Sequence, residues 1–221
     1  MTKTDQSFID AILKEAPSVS AYQSSLPLIE QLIDNILTEG GSEEDEIHKF
    51  KAAMLEEFVD WNEVRIVSPD RLAKYFVKIE NGDYKRTALQ ALLNKIFSRS
   101  GSLDYQFLMD FSSNDLEDYL TGIMELRETT IKRVILRVFK KPVPPITTEH
   151  EVILELAESS LIPGSEEIKE VFKGYEIEQL ESIQILLDQI VEEDASSRDD
   201  GSISTAEDFK SKTLKKLLKQ T

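Results

Sequence analysis

Two groups of residues in this 221-residue chain are of a type to do chemistry. The first is a turn followed by cations: Leu120-Thr121-Gly122-Ile123-Met124, then Arg127, Lys132 and Arg133. A glycine between two helices lets the backbone approach a ligand closely, and the second helix presents free amide groups and a positive dipole end. With lysine and arginine beside it, such a turn suits a phosphate held by charge-assisted hydrogen bonds. Taken alone, Gly122 is more readily explained as a helix cap between two core helices. The second group is Glu149-His150, the one acid-base pair near the basic run. A carboxylate there could activate water in a pocket. Its ordinary role is in the first turn of a helix, where negative charge suits the dipole.

Composition narrows these options. Cysteine is absent, which excludes disulfides, thiol catalysis, thiolate-held iron-sulfur clusters and cysteine-ligated zinc. With His48 and His150 as the only histidines, no metal site and no cofactor are expected. The N-terminal MTKTDQSFIDAILKEAP is interrupted by acids, and no apolar run reaches membrane-spanning length, so a cytoplasmic protein without a membrane partner is expected. The net charge of -16 opposes simple nucleic-acid binding, but it is unevenly spread. Residues 61–145 hold 14 Lys and Arg against 11 Asp and Glu, a net +3, which leaves -19 for the flanks. Residues 127–141 alone carry six cations against Glu128.

The elements that must position these groups are helical. Leu26, Ile29, Leu32, Ile33, Ile36 and Leu37 form one apolar stripe, stopped by Gly40-Gly41. Ser42 with the acids 43–46 starts a second helix whose face is Ile47, Phe50, Met54 and Phe58 and which runs into Trp61. Further helices are predicted at about 69–79, 84–97, 103–111, 114–120 and 127–139. The prolines at 142, 144 and 145 force an extended crossing. Helices resume at 149–159, 165–172 and 176–191. Residues 192–201, EEDASSRDDG, offer almost nothing to bury and read as a linker, before a lysine-rich amphipathic helix at 205–218. No stretch alternates as a strand does, so the fold class is all-α. The organisation expected is an N-terminal extension over 1–24, a helical body over 25–191 and a linker with a C-terminal helix over 192–221.

Several segments carry a family likeness. Asp60-Trp61-Asn62-Glu63-Val64-Arg65 with Ser68-Pro69, then 88–97, 101–108 and Asp118-Tyr119-Leu120-Thr121-Gly122-Ile123, match in order and spacing. Over roughly residues 25–190 the chain resembles the endonuclease III-like helix-hairpin-helix DNA glycosylases, and Leu-x-Gly-Ile at 120–123 is the most specific piece. The resemblance implies a two-lobed all-α fold. It makes 120–124 the hairpin and Leu120, Thr121, Gly122, Ile123, Met124, Arg127, Lys132 and Arg133 the DNA-binding residues. In that frame Trp61 is a core ring, and Asn62, Glu63 and Arg65 form a capping and salt-bridge cluster.

The catalytic positions differ. Counting from Gly122, the family's second glycine becomes Met124, and its lysine nucleophile becomes Leu126, or Arg127 across a small gap. Neither is a nucleophile, because leucine has no reactive group and arginine stays protonated. Thr147 stands at the aspartate position and supplies no carboxylate. The resemblance therefore implies a DNA-binding scaffold for damaged or bent duplex, nucleoid-associated, with its chemistry lost or moved to a displaced carboxylate such as Glu149. A different class stays open: an acidic protein-interaction module, with the C-terminal helix as docking element. A contiguous basic strip from Gly122 to Lys132 and Arg133 favours DNA, and acid over that strip favours protein.

Overall fold

The computed structural model describes residues 2–19, 26–39, 44–123, 125–197, 209 and 211–219. Among these residues the chain is all-α, with no strand. In order the helices are α1 (Lys3–Glu15), α2 (Leu28–Leu37), α3 (Glu44–Glu57), α4 (Trp61–Ile66), α5 (Pro69–Phe76), α6 (Gly82–Ser100), α7 (Ser113–Thr121), α8 (Glu128–Arg137), α9 (Glu151–Leu156), α10 (Glu166–Phe172), α11 (Ile177–Ser196) and α12 (Lys212–Leu217). No described helix is long and apolar enough to cross a membrane.

Three elements differ from the sequence expectation, each for a local reason. The pattern over 103–111 forms only a 3-10 turn, Gln106–Asp110. Gly101, at φ 70, ends α6, and the Asp104 carboxylate accepts from the Gln106 amide, which favours a turn over a continued helix. The helix into Trp61 is broken at 58–60, where Asp60 caps α4 by accepting from Glu63 N–H and Glu63 accepts from Val59 N–H. Residues 192–196 are helical, not linker. Asp194 is buried there, and Glu193 accepts from Ser211 Oγ at 2.7 Å and Thr213 Oγ1 at 2.6 Å. Residues 198–208 of the expected linker and tail lie outside the described residues.

The chain divides into two compact units, Gln23–Val134 and Met1–Tyr22 with Ile135–Thr221. In the first, α6 packs with α2, α4 and α5. Its apolar face of Leu89, Leu92, Leu93 and Ile96 meets a core that includes Leu32, Ile33, Phe58, Val64 and Leu72, all at most 1% exposed. Each such side chain contributes about 1.5–3 kcal/mol by burial. Glu57 ties α5 to the end of α3 by accepting from Arg71 Nε at 2.9 Å, Lys74 Nζ at 2.5 Å and Tyr75 OH.

In the second unit, α1 packs with α11 and α12. Phe8, Ile9 and Ile12 are buried, as are Leu180, Ile183, Leu187, Leu214 and Leu217. The apolar face of α12 is therefore covered by its own chain, and Lys216 pairs with Glu15. Asp5 ties this unit together. It caps α1 with Thr2 and accepts from Ser159 Oγ and from Ser160 N–H and Oγ, all at 2.8 Å. Burial raises its pKa, but the hydrogen bonds from Thr2, Ser160 and Ser159 outweigh burial and hold the carboxyl well below its ordinary 3.8. A lowered folded value stabilises above the ordinary value and is lost as pH falls through the folded one. Asp5→Asn is expected to cost about 1.5 kcal/mol at pH 7. The gap to the parent should narrow as pH drops below 3.8, as urea titrations at pH 7, 4 and 3 will show.

Candidate nucleic-acid interface at the hairpin turn

Helix α7, which leads into the turn at Gly122, starts at a local cap. Ser112 and Asp115 form a reciprocal capping box, with Ser112 Oγ accepting from Asp115 N–H and the Asp115 carboxylate from Ser112 N–H. After Thr121 the chain turns at Gly122, whose N–H bonds back to the carbonyls of Asp118 and Leu120. Leu120 and Ile123 are buried at 1% and 3% exposed and anchor the turn, which leaves Thr121 and Gly122 at the surface. Gly122 has φ -67, so its backbone needs no glycine. A Cβ there would come within 3.2 Å of Lys95 Nζ and 3.3 Å of the Tyr119 carbonyl. Close approach is the constraint at this position. Met124 lies outside the described residues.

The cations after the turn are met by acids. The Arg127 guanidinium stacks on Tyr84, 4.3 Å from the ring centre, and bonds Glu39 Oε1 at 3.1 Å. The Lys132 side chain is 3% exposed, with Nζ 3.3 Å from Glu128 and 3.7 Å from Glu117. Arg133 is half-buried. Acid thus covers Arg127 and Lys132 after the turn.

Other cations face the turn from neighbouring helices. Lys95 of α6 donates to the Gly122 carbonyl at 3.4 Å. Arg65 of α4 is held by Asn62 Oδ1, at 3.0 and 2.9 Å, and Asn94 Oδ1, at 3.3 Å, and stacks over Phe97. Arg65 thus belongs to a polar cluster with Asn62, while Glu63 serves the backbone. Arg65, Asn94, Lys95, Ser98, Gly122 and Glu125 line a cleft of about 370 Å³. No carboxylate lies within ion-pair distance of Arg65 or Lys95 among the described residues. The cleft can therefore offer two cations, an amide, a hydroxyl and a backbone turn to an anion, with Glu125 as a single opposing charge. Sequence reasoning passed over Lys95. The available signal was the spacing of Asn94, Lys95, Ser98 and Arg99, which places polar groups on one helical face.

The acid-base candidates occupy the other unit. Glu149 is exposed in the 3-10 turn Thr148–His150. His150 is fully buried: its Nδ1 accepts from Thr147 N–H at 3.1 Å, and Nε2 lies 3.1 Å from Asp188 Oδ1. Because Nδ1 accepts, Nε2 carries the proton to Asp188, and the ring pins the turn onto α11. Thr147 is buried and caps the same turn. Among the described residues no three His, Cys, Asp or Glu side chains cluster as metal ligands would. Trp61 is a core ring with its indole N–H donating to Glu30. The chain matches no protein-family model, and a search of the curated proteins finds no match to it.

Proposed function

We propose that this chain is a cytoplasmic, nucleoid-associated DNA-binding protein on the two-lobed helix-hairpin-helix glycosylase scaffold, and that the phosphate contact is made at Gly122 by Lys95 and Arg65. The observation that carries the proposal is the Lys95 ammonium 3.4 Å from the Gly122 carbonyl in a cleft it shares with Arg65. Support for the scaffold comes from the order of α7, turn and α8 and from the division of the chain into two compact units. Leu126 at the nucleophile position and a buried, hydrogen-bonded Thr147 at the aspartate position support a chain without glycosylase chemistry.

Binding of labelled duplex, abasic or intact, is measured by anisotropy across a salt series. The double variant R65Q/K95Q is expected to bind at least tenfold more weakly and to lower the salt slope by about 2, since each phosphate contact contributes about 0.9. The matched variant K169Q/K173Q loses the same charge from pairs on α10 and its cap and is expected to change neither. Equal binding by R65Q/K95Q and the parent, or no binding of duplex or of single-stranded DNA at low salt, overturns the proposal.

The acids over Arg127 and Lys132 favour a second reading, a protein-interaction module. Its candidate contacts are the exposed apolar side chains of Leu55 on α3, Val59 before α4 and Ile66 at the end of α4, exposed by 40%, 89% and 66%. The absence of any salt-dependent DNA binding is the result that would select it.

A further inference from the structure

A second cleft, of about 510 Å³, lies in the same unit and shares Phe97 with the hairpin cleft. Its walls include Trp61, Phe97, Leu103 and Tyr105. Trp61 is 7% exposed and tethered by Glu30, so its ring is a fixed wall. Phe97, Leu103 and Tyr105 are half-buried and leave apolar surface toward the opening.

Phe97 joins this aromatic cleft to the cations. The Arg65 guanidinium lies 3.7 Å from the Phe97 ring centre. Asn62 and Asn94 take three of its five N–H groups, which fixes the fork while two donors remain for an anion. Lys95 lines the hairpin cleft together with Arg65 and Phe97.

We infer that the aromatic cleft takes an unpaired base of a single DNA strand whose backbone phosphate sits on Arg65 and Lys95. The inference rests on the DNA reading above and narrows its substrate to single-stranded or gapped DNA. Two physical arguments carry it. Cations beside an aromatic wall are the combination that single strands require, because the cations follow the backbone while the ring stacks any exposed base. In a duplex both faces of each base are already stacked on neighbours, so this wall would have nothing to receive without unpairing. Charge complementarity also fixes the order of the groups: the phosphate is drawn to Arg65 and Lys95 in the hairpin cleft, and not to the aromatic cleft, whose lining includes the Asp60 carboxylate.

The full chain offers an internal reporter, because Trp61 is its only tryptophan and lines the cleft. A short oligothymidylate is expected to quench Trp61 fluorescence, and a blunt duplex to quench it far less. Tyr105→Ala is expected to weaken oligothymidylate binding at least about fivefold and duplex binding less than twofold, and Tyr105→Phe, which keeps the ring, to restore the parent value. Ser102→Trp, which fills the opening from an exposed position, should weaken single-strand binding in the same way, measured by anisotropy of labelled oligonucleotide. Single-strand binding that survives both Tyr105→Ala and Ser102→Trp, or equal quenching by polyglutamate, overturns the inference and leaves the hairpin reading standing. If neither DNA form binds, the hairpin reading fails and this one with it.

Discussion

Gly82→Ala is expected to destabilise the 23–134 unit by about 2–3 kcal/mol. An alanine Cβ at the first residue of α6 would stand 2.1 Å from the Phe76 carbonyl oxygen and 2.9 Å from its carbon. Those are backbone atoms at the end of α5, and the same oxygen already accepts from Ile79 N–H, so it cannot turn aside. The Phe76 side chain is 2% exposed and packs edge-on against Phe50, which holds the end of α5 in place. Overpacking of this kind costs about 3 kcal/mol. Alanine returns at most about 1 kcal/mol through helix preference, so the clash prevails. For a chain of this size the loss corresponds to a melting temperature lower by about 4–12 °C, measurable by calorimetry. Gly101→Ala is the informative comparison: at φ 70 with open space around its Cβ, it should cost only about 1 kcal/mol of backbone strain. Equal losses at the two glycines would mean that the α5–α6 junction gives way without cost.

That junction also marks what was legible in the sequence. Apolar stripes announced most helices, because they act within a few residues: α2 from Ile29, Leu32, Ile33, Ile36 and Leu37, and α3 from Ile47, Phe50, Met54 and Phe58. The turn at Gly122 was legible for the same reason. Which way its cations face was not. Arg127 is claimed by Glu39, 88 residues earlier, and Lys132 by Glu117 across the turn as well as by Glu128 one helical turn before it, so only the Glu128 pair follows from local periodicity and packing decides the rest. Lys95 was missed because it becomes a neighbour of Gly122 only once α6 has packed beside the turn. The acidic run at 192–196 was misread as linker because its two useful acids find their roles at a distance, Glu193 with Ser211 and Thr213, and Asp194 in a buried position.

Glu39→Gln is expected to cost about 3 kcal/mol or more, and the loss should depend on pH. The side chain of Glu39 is 7% exposed, and it accepts from Thr130 Oγ1, Tyr84 OH at 3.0 Å and Arg127 Nη1 at 3.1 Å. Its charge also supports Lys85, which is fully buried beside it. Burial pushes the Lys85 ammonium below its ordinary 10.5, and the carboxylates of Glu39 and Glu80 act against that shift. Glutamine keeps the volume of Glu39 but removes its charge, so the folded pKa of Lys85 should fall further. A lysine with a depressed folded value binds fewer protons folded than unfolded, so stability rises with pH between the folded value and 10.5. The variant should therefore lie furthest below the parent near neutral pH and recover part of the difference as pH approaches 10.5, where Lys85 loses its proton in both states. Urea titrations at pH 7 and near pH 10 test this directly. A loss that is the same at both values would place the whole cost in the hydrogen bonds to Thr130, Tyr84 and Arg127. A smaller gap at the higher pH would identify the Glu39 carboxylate as the counter-charge that lets Lys85 stay buried.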